Sequence, residues 1–187
     1  MEFIIVLAIV AILAIMAVPA LMTIVPSAQL RASARGVAGL MQQGRTLAEN
    51  SHKPARVVLA DCRGASAPHP CTSRGLEMGV FNAYLEAAVF NADGTFDEWV
   101  PAGVESRRSL SRGVVAAVAP TDPPHTMVAG NPNGVLWAVF MPSGELWASH
   151  SDPQDMATRL LFSHARAHGA DWRLTVSRGR AALDRME

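Results

Sequence analysis

The chain has 187 residues, of which 50% are hydrophobic and only 17% are charged, and its mean hydropathy is +0.18. This length allows one globular domain with an accessory segment, and the composition is more apolar than an ordinary soluble domain needs. The 16 lysines and arginines balance the 16 aspartates and glutamates. No net charge therefore draws the whole protein to nucleic acid or acidic lipid, and such binding would need a local patch.

An uncharged apolar run opens the chain. Residues 3–22 contain no charged or strongly polar side chain, and about twenty helical residues match a bilayer core about 30 Å thick. A cleaved secretory signal would need a basic start and small residues at the cut, whereas this run starts beside Glu2 and has Pro19 near its end. We therefore expect residues 1–25 to form the transmembrane part of an N-terminal helix, which crosses the membrane once.

Glu2 is a carboxylate at the edge of this apolar run. A charged side chain is costly near the interior of a membrane. One interpretation places Glu2 in the headgroup region. The other is that Glu2 pairs with a cation, such as the free amino group of a neighbouring subunit, and thereby sets the register between assembled helices.

Helical periodicity continues beyond Pro26. Apolar residues recur there at alternating steps of four and three, which indicates one stripe along a helix, and residues 50–54 supply a stop signal. We predict an amphipathic stalk helix over residues 26–53, packed on the rest of the chain. A bend or local melting of the helix is expected at Pro19, and Pro26 is a second candidate position for it. The stripe consists of Leu30, Ala34, Val37, Met41, Gly44 and Ala48.

Short β-rich runs separated by turn residues follow from residue 54 onward. The runs 91–94 and 141–144 predict hairpin turns, and residues 121–125 and 130–134 predict a long irregular connection. The fold class is therefore α+β, with a long N-terminal transmembrane and stalk helix packed on an antiparallel β-sheet head over residues 54–187. The predicted strands are residues 56–60, 76–81, 87–90, 95–100, 114–118, 135–140, 145–149, 159–163 and 172–177.

Two cysteines, Cys62 and Cys71, lie in a segment rich in Gly, Pro and Ser. In an exported protein such a pair indicates a disulfide. The alternatives are two unpaired thiols or a zinc site that adds His69, although no fourth ligand stands at a standard spacing.

No catalytic motif is present in the sequence. It has no Gly-x-Ser-x-Gly elbow, phosphate-binding Gly-rich loop or His-Glu-x-x-His pair, so we expect neither an enzyme nor a bound cofactor or metal. A calcium site at Asp93, Asp97 and Glu98 is the alternative to a plain polar turn there. The four tryptophans fall within or at the ends of predicted strands, which favours core packing over a binding platform: Trp99, Trp137, Trp147 and Trp172.

The opening residues resemble the N-terminus of type IV pilins and type II secretion pseudopilins. That family carries one glutamate in the apolar run and a proline 17 positions later, as Glu2 and Pro19 stand here. Residues 40–59, 139–144 and 172–180 resemble, in the same order, H-type minor pseudopilins and their type IV pilus relatives. The family's basic leader and first mature residues are missing from this sequence, so we expect a truncated or misassigned start.

This resemblance implies a minor pseudopilin of the type II secretion pseudopilus, a structural subunit that serves protein export. In the family the mature N-terminus is processed and methylated, the helix is anchored once in the inner membrane, and the head lies in the periplasm. The implied partners are other pseudopilins or pilins, through the N-terminal helix, and the inner-membrane assembly platform. Glu2 would neutralise a neighbour's amine, and Pro19 would kink the helix.

The alternative that the resemblance leaves open is a minor pilin of a type IV pilus, with DNA as a partner. Some type IV pilus relatives capture DNA with a basic C-terminal tail of the form Gly-Arg-x-Arg. Gly179 and Arg180 match this form, and Ala182 replaces its second arginine. Either the tail is simply solvated, or its arginines contact phosphates. The candidate DNA-binding residues are Arg173, Arg178, Arg180 and Arg185.

Overall fold

The computed structural model describes residues 2–63, 69–103, 106–118, 135–148, 158–164, 166–167, 171–176 and 181–186. Its helices are α1 (Glu2–Ser51) and α2 (His69–Ser73). Its strands are β1 (Ala55–Asp61), β2 (Phe81–Phe90), β3 (Phe96–Pro101), β4 (Arg107–Ser109), β5 (Val114–Val118), β6 (Val135–Phe140), β7 (Leu146–Ala148), β8 (Thr158–His164), β9 (Trp172–Val176) and β10 (Ala181–Arg185).

Helix α1 is unbroken over 50 residues, through both Pro19 and Pro26. The local melting that we considered at Pro19 is therefore not seen, whereas a bend there stays a prediction. The helix ends within the predicted stop signal. His52 has a φ of 52°, a left-handed conformation that interrupts the helical path, and the Ser51 hydroxyl donates to the Leu47 carbonyl over 2.7 Å.

Strand β1 is the centre of the larger sheet, whose order is β3-β2-β1-β6-β7, with β4 also paired to β2. All of these pairings are antiparallel. The hairpins β2–β3 and β6–β7 turn over residues 91–94 and 141–144, as predicted. Each turn contains a glycine with positive φ, 81° at Gly94 and 84° at Gly144, which glycine adopts without steric cost.

The second sheet has the order β10-β9-β8-β5 and is also antiparallel. Strand β10 was not predicted from the sequence, in which residues 181–185 were interpreted as part of a solvated tail. Its five residues, Ala-Ala-Leu-Asp-Arg, carry no β-branched or aromatic side chain, so the local pattern gives no strand signal. Pairing with β9 at all five positions stabilises the extended conformation of β10, which its own sequence does not favour.

The predicted strand over residues 76–81 is wrong. Residues 76–80 form an irregular segment with a turn at residues 78–79, and β2 begins at Phe81 and extends the predicted run 87–90 to ten residues. Gly75 and Gly79 have φ values of 59° and 83°, and neither value is compatible with an extended strand. The connections predicted at residues 121–125 and 130–134 lie outside the described residues.

The hydrophobic core lies between α1 and the two sheets. Every member of the predicted helical stripe is buried, for example Leu30 and Val37 at 0% exposure. Around residue 44 the helix packs on the larger sheet, and residues 24–35 lie beside the smaller one. Phe162 and Leu174 of the smaller sheet are also fully buried, and each such side chain stabilises the fold by about 1.5–3 kcal/mol. This arrangement confirms the α+β fold.

Candidate functional site

The first half of α1 presents an apolar surface that the head does not cover. The described large apolar side chains between residues 3 and 15 are 53–75% exposed, with Phe3 at 75% and Ile15 at 72%. An exposed apolar surface of this extent marks a site of contact with another protein or a membrane. The helix thus has one half buried in the head and one half free to pack elsewhere.

Glu2 and Pro19, the two residues that carry the sequence resemblance, both belong to this helix. Glu2 is its first residue, at the end farthest from the head. Among the residues that the structure describes, no helix is both long enough and apolar enough to cross a membrane. The transmembrane segment over residues 1–25 and the pairing role of Glu2 stay predictions.

Cys62 and Cys71 form a disulfide, with Cα atoms 5.7 Å apart. The predicted bond is therefore present, and the zinc alternative at these sulfurs is wrong. Both cysteines are buried, and with Leu76 they cover Val58 and Tyr84 on the face of the larger sheet that points away from α1. The disulfide thus holds a short cover over this second apolar cluster.

Glu86 is a buried carboxylate, only 1% exposed, held between two arginines. The Arg56 Nε donates to its Oε2 over 2.6 Å. The Arg74 Nη2 lies 3.1 Å from its Oε1 without the alignment of a hydrogen bond, and donates instead to the Trp99 carbonyl over 2.8 Å. The Arg56 guanidinium also lies 4.5 Å from the centre of the Trp99 ring. The cluster joins β1, β2, β3 and the segment after α2.

We did not predict this cluster from the sequence, although one signal for it is present. Glu86 interrupts β2, a strand whose side chains are otherwise apolar apart from Asn82, and a buried carboxylate is rarely found without a paired cation. The identity of the partners was not predictable, because Arg56 and Arg74 lie far from Glu86 in sequence. The cluster links three strands and the segment after α2 through two ion pairs and the hydrogen bonds of its arginines.

The turn at residues 91–95 is held by its own side chains. Asp93 accepts hydrogen bonds from the Thr95 amide over 2.9 Å and from the Thr95 hydroxyl over 2.6 Å. These bonds from Thr95 lower the pKa of Asp93. Within the described part of the chain, no group of three or more histidine, cysteine, aspartate or glutamate side chains is placed to hold a metal ion. The geometry here is that of a polar turn.

Of the four arginines in the candidate DNA-binding patch, the structure describes two. Arg178 and Arg180 lie outside the described residues. Arg173 stands opposite Asp184 in the β9–β10 pairing, whereas Arg185 stands opposite Trp172. Because neighbouring residues of a strand point to opposite faces, the pairs lie on opposite faces of the smaller sheet. DNA binding by the tail stays a prediction.

A groove of about 460 Å³ lies between α1 and the edge of the smaller sheet. Arg31 and Arg35 of α1 line it together with Trp172 of β9 and Arg185 of β10. The Arg31 guanidinium lies 5.5 Å from the centre of the Trp172 ring, at cation–π distance. This groove was not predictable from the sequence, because its arginines come from opposite ends of the chain.

Core packing was predicted for the tryptophans, and the structure corrects it in part. Trp137 on β6 is 36% exposed, and Trp99 and Trp172 are half-buried. Trp99 and Trp172 each stack on an arginine, which accommodates a large ring at the border of the core. The side chain of Trp147 lies outside what the structure describes.

The structure is similar to two solved structures. The first is the minor pseudopilin EpsH from the type 2 secretion system of Vibrio cholerae, at a TM-score of 0.47 and 13% identity, over 84% of this chain and 96% of that one. The second is GspH of E. coli, at a TM-score of 0.47 and 16% identity, over 86% of this chain and 89% of that one.

No protein-family model matches the chain, and neither does any curated protein. At identities of 13% and 16% the likeness concerns the arrangement of helix and sheets, and it assigns no activity by itself.

Proposed function

We propose that this protein is a minor pseudopilin, a non-enzymatic structural subunit of a type II secretion pseudopilus. The first half of α1 anchors the chain once in the inner membrane, and the head lies in the periplasm. During assembly the helix leaves the bilayer and packs against the helices of other pseudopilins, where Glu2 neutralises the amino group of a neighbour.

The observation that carries this proposal is the division of α1. One continuous helix has a stripe fully buried in the head, such as Leu30 and Val37 at 0% exposure, and an exposed apolar extension with Phe3 at 75%. Such an extension is unstable in water and requires either lipid or apolar helices around it. The position of Glu2 and the spacing to Pro19 support a pilin-like helix in particular.

A deletion of the gene tests the proposal directly. The secreted proteome and the surface pili of the deletion strain are compared with those of the parent. As a control, the deletion strain is complemented with the wild-type chain. We expect secreted proteins to be lost while pili remain. Normal secretion with loss of pili or of DNA uptake would overturn the proposal in favour of a type IV minor pilin, and Arg178 and Arg180 would then be the residues to substitute.

A further inference from the structure

We propose that the groove between α1 and the smaller sheet is a binding site for the phosphate headgroup of an anionic phospholipid. The inference rests on the membrane anchoring of α1 proposed above and adds a second, polar contact between the protein and the bilayer. The site consists of Arg31, Arg35 and Arg185, with Trp172 as one wall and Ile24 at the end nearest the apolar run.

The charge of the groove is one-sided. Three arginines line it, and no described lining residue is acidic, although the chain as a whole has no net charge. Among the described residues, none of the three arginines forms an ion pair with a carboxylate, and Arg31 has the Trp172 ring as its neighbour. Asp184, which adjoins Arg185, points to the opposite face of its strand. Within the described part of the chain, the groove therefore concentrates positive charge with no acidic side chain on its lining.

The arrangement of the backbone explains why these three arginines lie close together. Arg31 and Arg35 are four residues apart on α1 and so lie one above the other on the same helix face. Arg185 stands opposite Trp172 in the β9–β10 pairing, so both side chains share the face that the groove exposes. Guanidinium groups bind phosphate oxygens in pairs, with two parallel hydrogen bonds, and are less strongly hydrated than ammonium groups. The groove thus matches a phosphate group.

The position of the groove relative to the apolar run selects a lipid phosphate as the occupant. Apolar residues continue beyond the run 3–22 as far as Val25, and Arg31 follows six residues later, about 9 Å along a helix. Side chains on a helix tilt toward its N-terminus, which here is the direction of the bilayer, and long arginine side chains reach back to the interface. Tryptophan is the aromatic residue typical of the same interface. Ile24, 59% exposed, lies where the acyl chains would begin.

Site-specific labelling of the full-length protein in nanodiscs tests this assignment. Phenylglyoxal modifies accessible arginines, and peptide mass spectrometry reads each one separately. The discs contain either phosphatidylcholine alone or an equal mixture of phosphatidylcholine and phosphatidylglycerol. We expect labelling of Arg31, Arg35 and Arg185 to fall about fivefold in the anionic discs, while Arg45 and Arg108 label equally in both. Equal labelling of the groove arginines in the two kinds of disc overturns the proposal.

Two further outcomes separate the lipid from other occupants. If inorganic phosphate added to the phosphatidylcholine discs protects the three arginines as well as phosphatidylglycerol does, the groove is a general phosphate site and the lipid assignment is overturned. If protection appears in both kinds of disc and grows with protein concentration, the occupant is a second protein molecule. A chain that associates with neither kind of disc overturns the anchoring and the groove together, whereas equal labelling in loaded discs overturns the groove alone.

A pair of variants provides an independent measurement. Arg35→Gln/Arg185→Gln removes two charges from the groove, and Lys53→Gln/Arg108→Gln removes two charges elsewhere. Native mass spectrometry counts the phosphatidylglycerol molecules retained after release from anionic discs, and near-ultraviolet circular dichroism checks that both variants are folded. We expect retention to fall in the first variant and to match wild type in the second. Equal retention in both folded variants contradicts the proposal.

Discussion

Glu86 shows how much a single buried charge contributes to the head. Its carboxylate is 1% exposed and is shared by Arg56 and Arg74, which are 27% and 33% exposed. Removing one partner of a buried ion pair leaves the other without its counterion, and here the two arginines retain some access to water, which moderates the cost. Because Glu86 itself has no route to solvent, its charge depends on these two arginines, and their attraction offsets the desolvation cost of burying it.

We expect Glu86→Ala to lower the free energy of unfolding by about 2 kcal/mol or more. The matched control is Glu49→Ala, which breaks the exposed pair with Arg45 on α1 and changes the stability by at most about 0.5 kcal/mol. Urea unfolding of the full chain in mild detergent, followed by near-ultraviolet circular dichroism, measures both. Equal effects of the two variants would show that Glu86 has no special role.

Tyr84 offers a spectroscopic test, because it is the only tyrosine of the chain. Burial, reinforced by the nearby Glu86 carboxylate, raises the pKa of Tyr84 to about 12. The folded state therefore favours the neutral phenol over the tyrosinate. The contribution of this preference to stability is complete below the unfolded-state pKa of about 10, and it is lost as the pH rises from about 10 to about 12.

The ultraviolet absorbance of tyrosinate follows this titration directly. We expect little ionisation of the folded protein at pH values where the urea-unfolded chain is already half ionised, together with a fall in stability to urea above about pH 10. The same titration midpoint in the folded and unfolded chains, with circular dichroism confirming the fold, would contradict the burial of the phenol.

At the scale of the element, α1 lies close against the larger sheet at Gly44. A Cβ added there would lie 3.1 Å from the Leu85 Cδ1 and 3.2 Å from the Phe140 Cδ2 and the Val57 Cγ2. These three side chains belong to three strands and are all buried, so they have little room to move. At Gly39, five residues earlier, an added Cβ meets nothing within 4 Å.

We expect the same substitution to have different effects at these two glycines. Gly39→Ala should raise the free energy of unfolding by up to about 1 kcal/mol, because alanine favours the helix. Gly44→Ala gains the same helix propensity but crowds the core, so its stability should fall about 1–2 kcal/mol below that of Gly39→Ala. Thermal unfolding of both variants under identical conditions measures the difference. Equal stabilisation would show that the side chains around Gly44 move aside at little cost.

Elements with a strong local pattern were predictable, and elements defined by their partners were not. The stripe through Leu30 and Val37 predicted the buried face of α1, and the turn ending at Gly144 predicted the β6–β7 hairpin. In contrast, β4 and β10 have weak strand sequences and exist because β2 and β9 pair with them. The same reason explains why the Glu86 cluster and the arginine groove were missed, since their members are distant in sequence.

At the scale of the whole molecule, the proposed assembly depends on Glu2. We expect Glu2→Gln, which removes the charge and keeps the shape, to lower incorporation into filaments about tenfold, equivalent to about 1.4 kcal/mol, without changing the stability of the head. Complementation of the deletion strain with wild type, Glu2→Gln and the control Glu49→Gln, scored by secretion and by cross-linking to other pseudopilins, measures the effect. Full complementation by Glu2→Gln would contradict a role for the carboxylate.

The α+β architecture was predicted from the switch between helical and strand periodicity, but the division of the head into two sheets was not. Strand β1 pairs with β6, for example Val58 with Trp137, and β5 pairs with β8, for example Ala116 with Phe162. Hydrophobic alternation shows that a strand has a buried face, but it does not select one distant partner over another.

The order of elements along the chain also sets the timing of folding. Helix α1 is synthesised first, yet β8, β9 and β10, which lie against it, are synthesised last. At a typical rate of about 5–20 residues per second, the stripe through Leu30 and Val37 emerges roughly ten seconds before its cover. Contacts between such distant segments also slow the search for the native state. Nascent chains are therefore most prone to aggregation while the apolar stripe of α1 is still uncovered. Rapid capture of α1 by a membrane or a chaperone would shorten this interval.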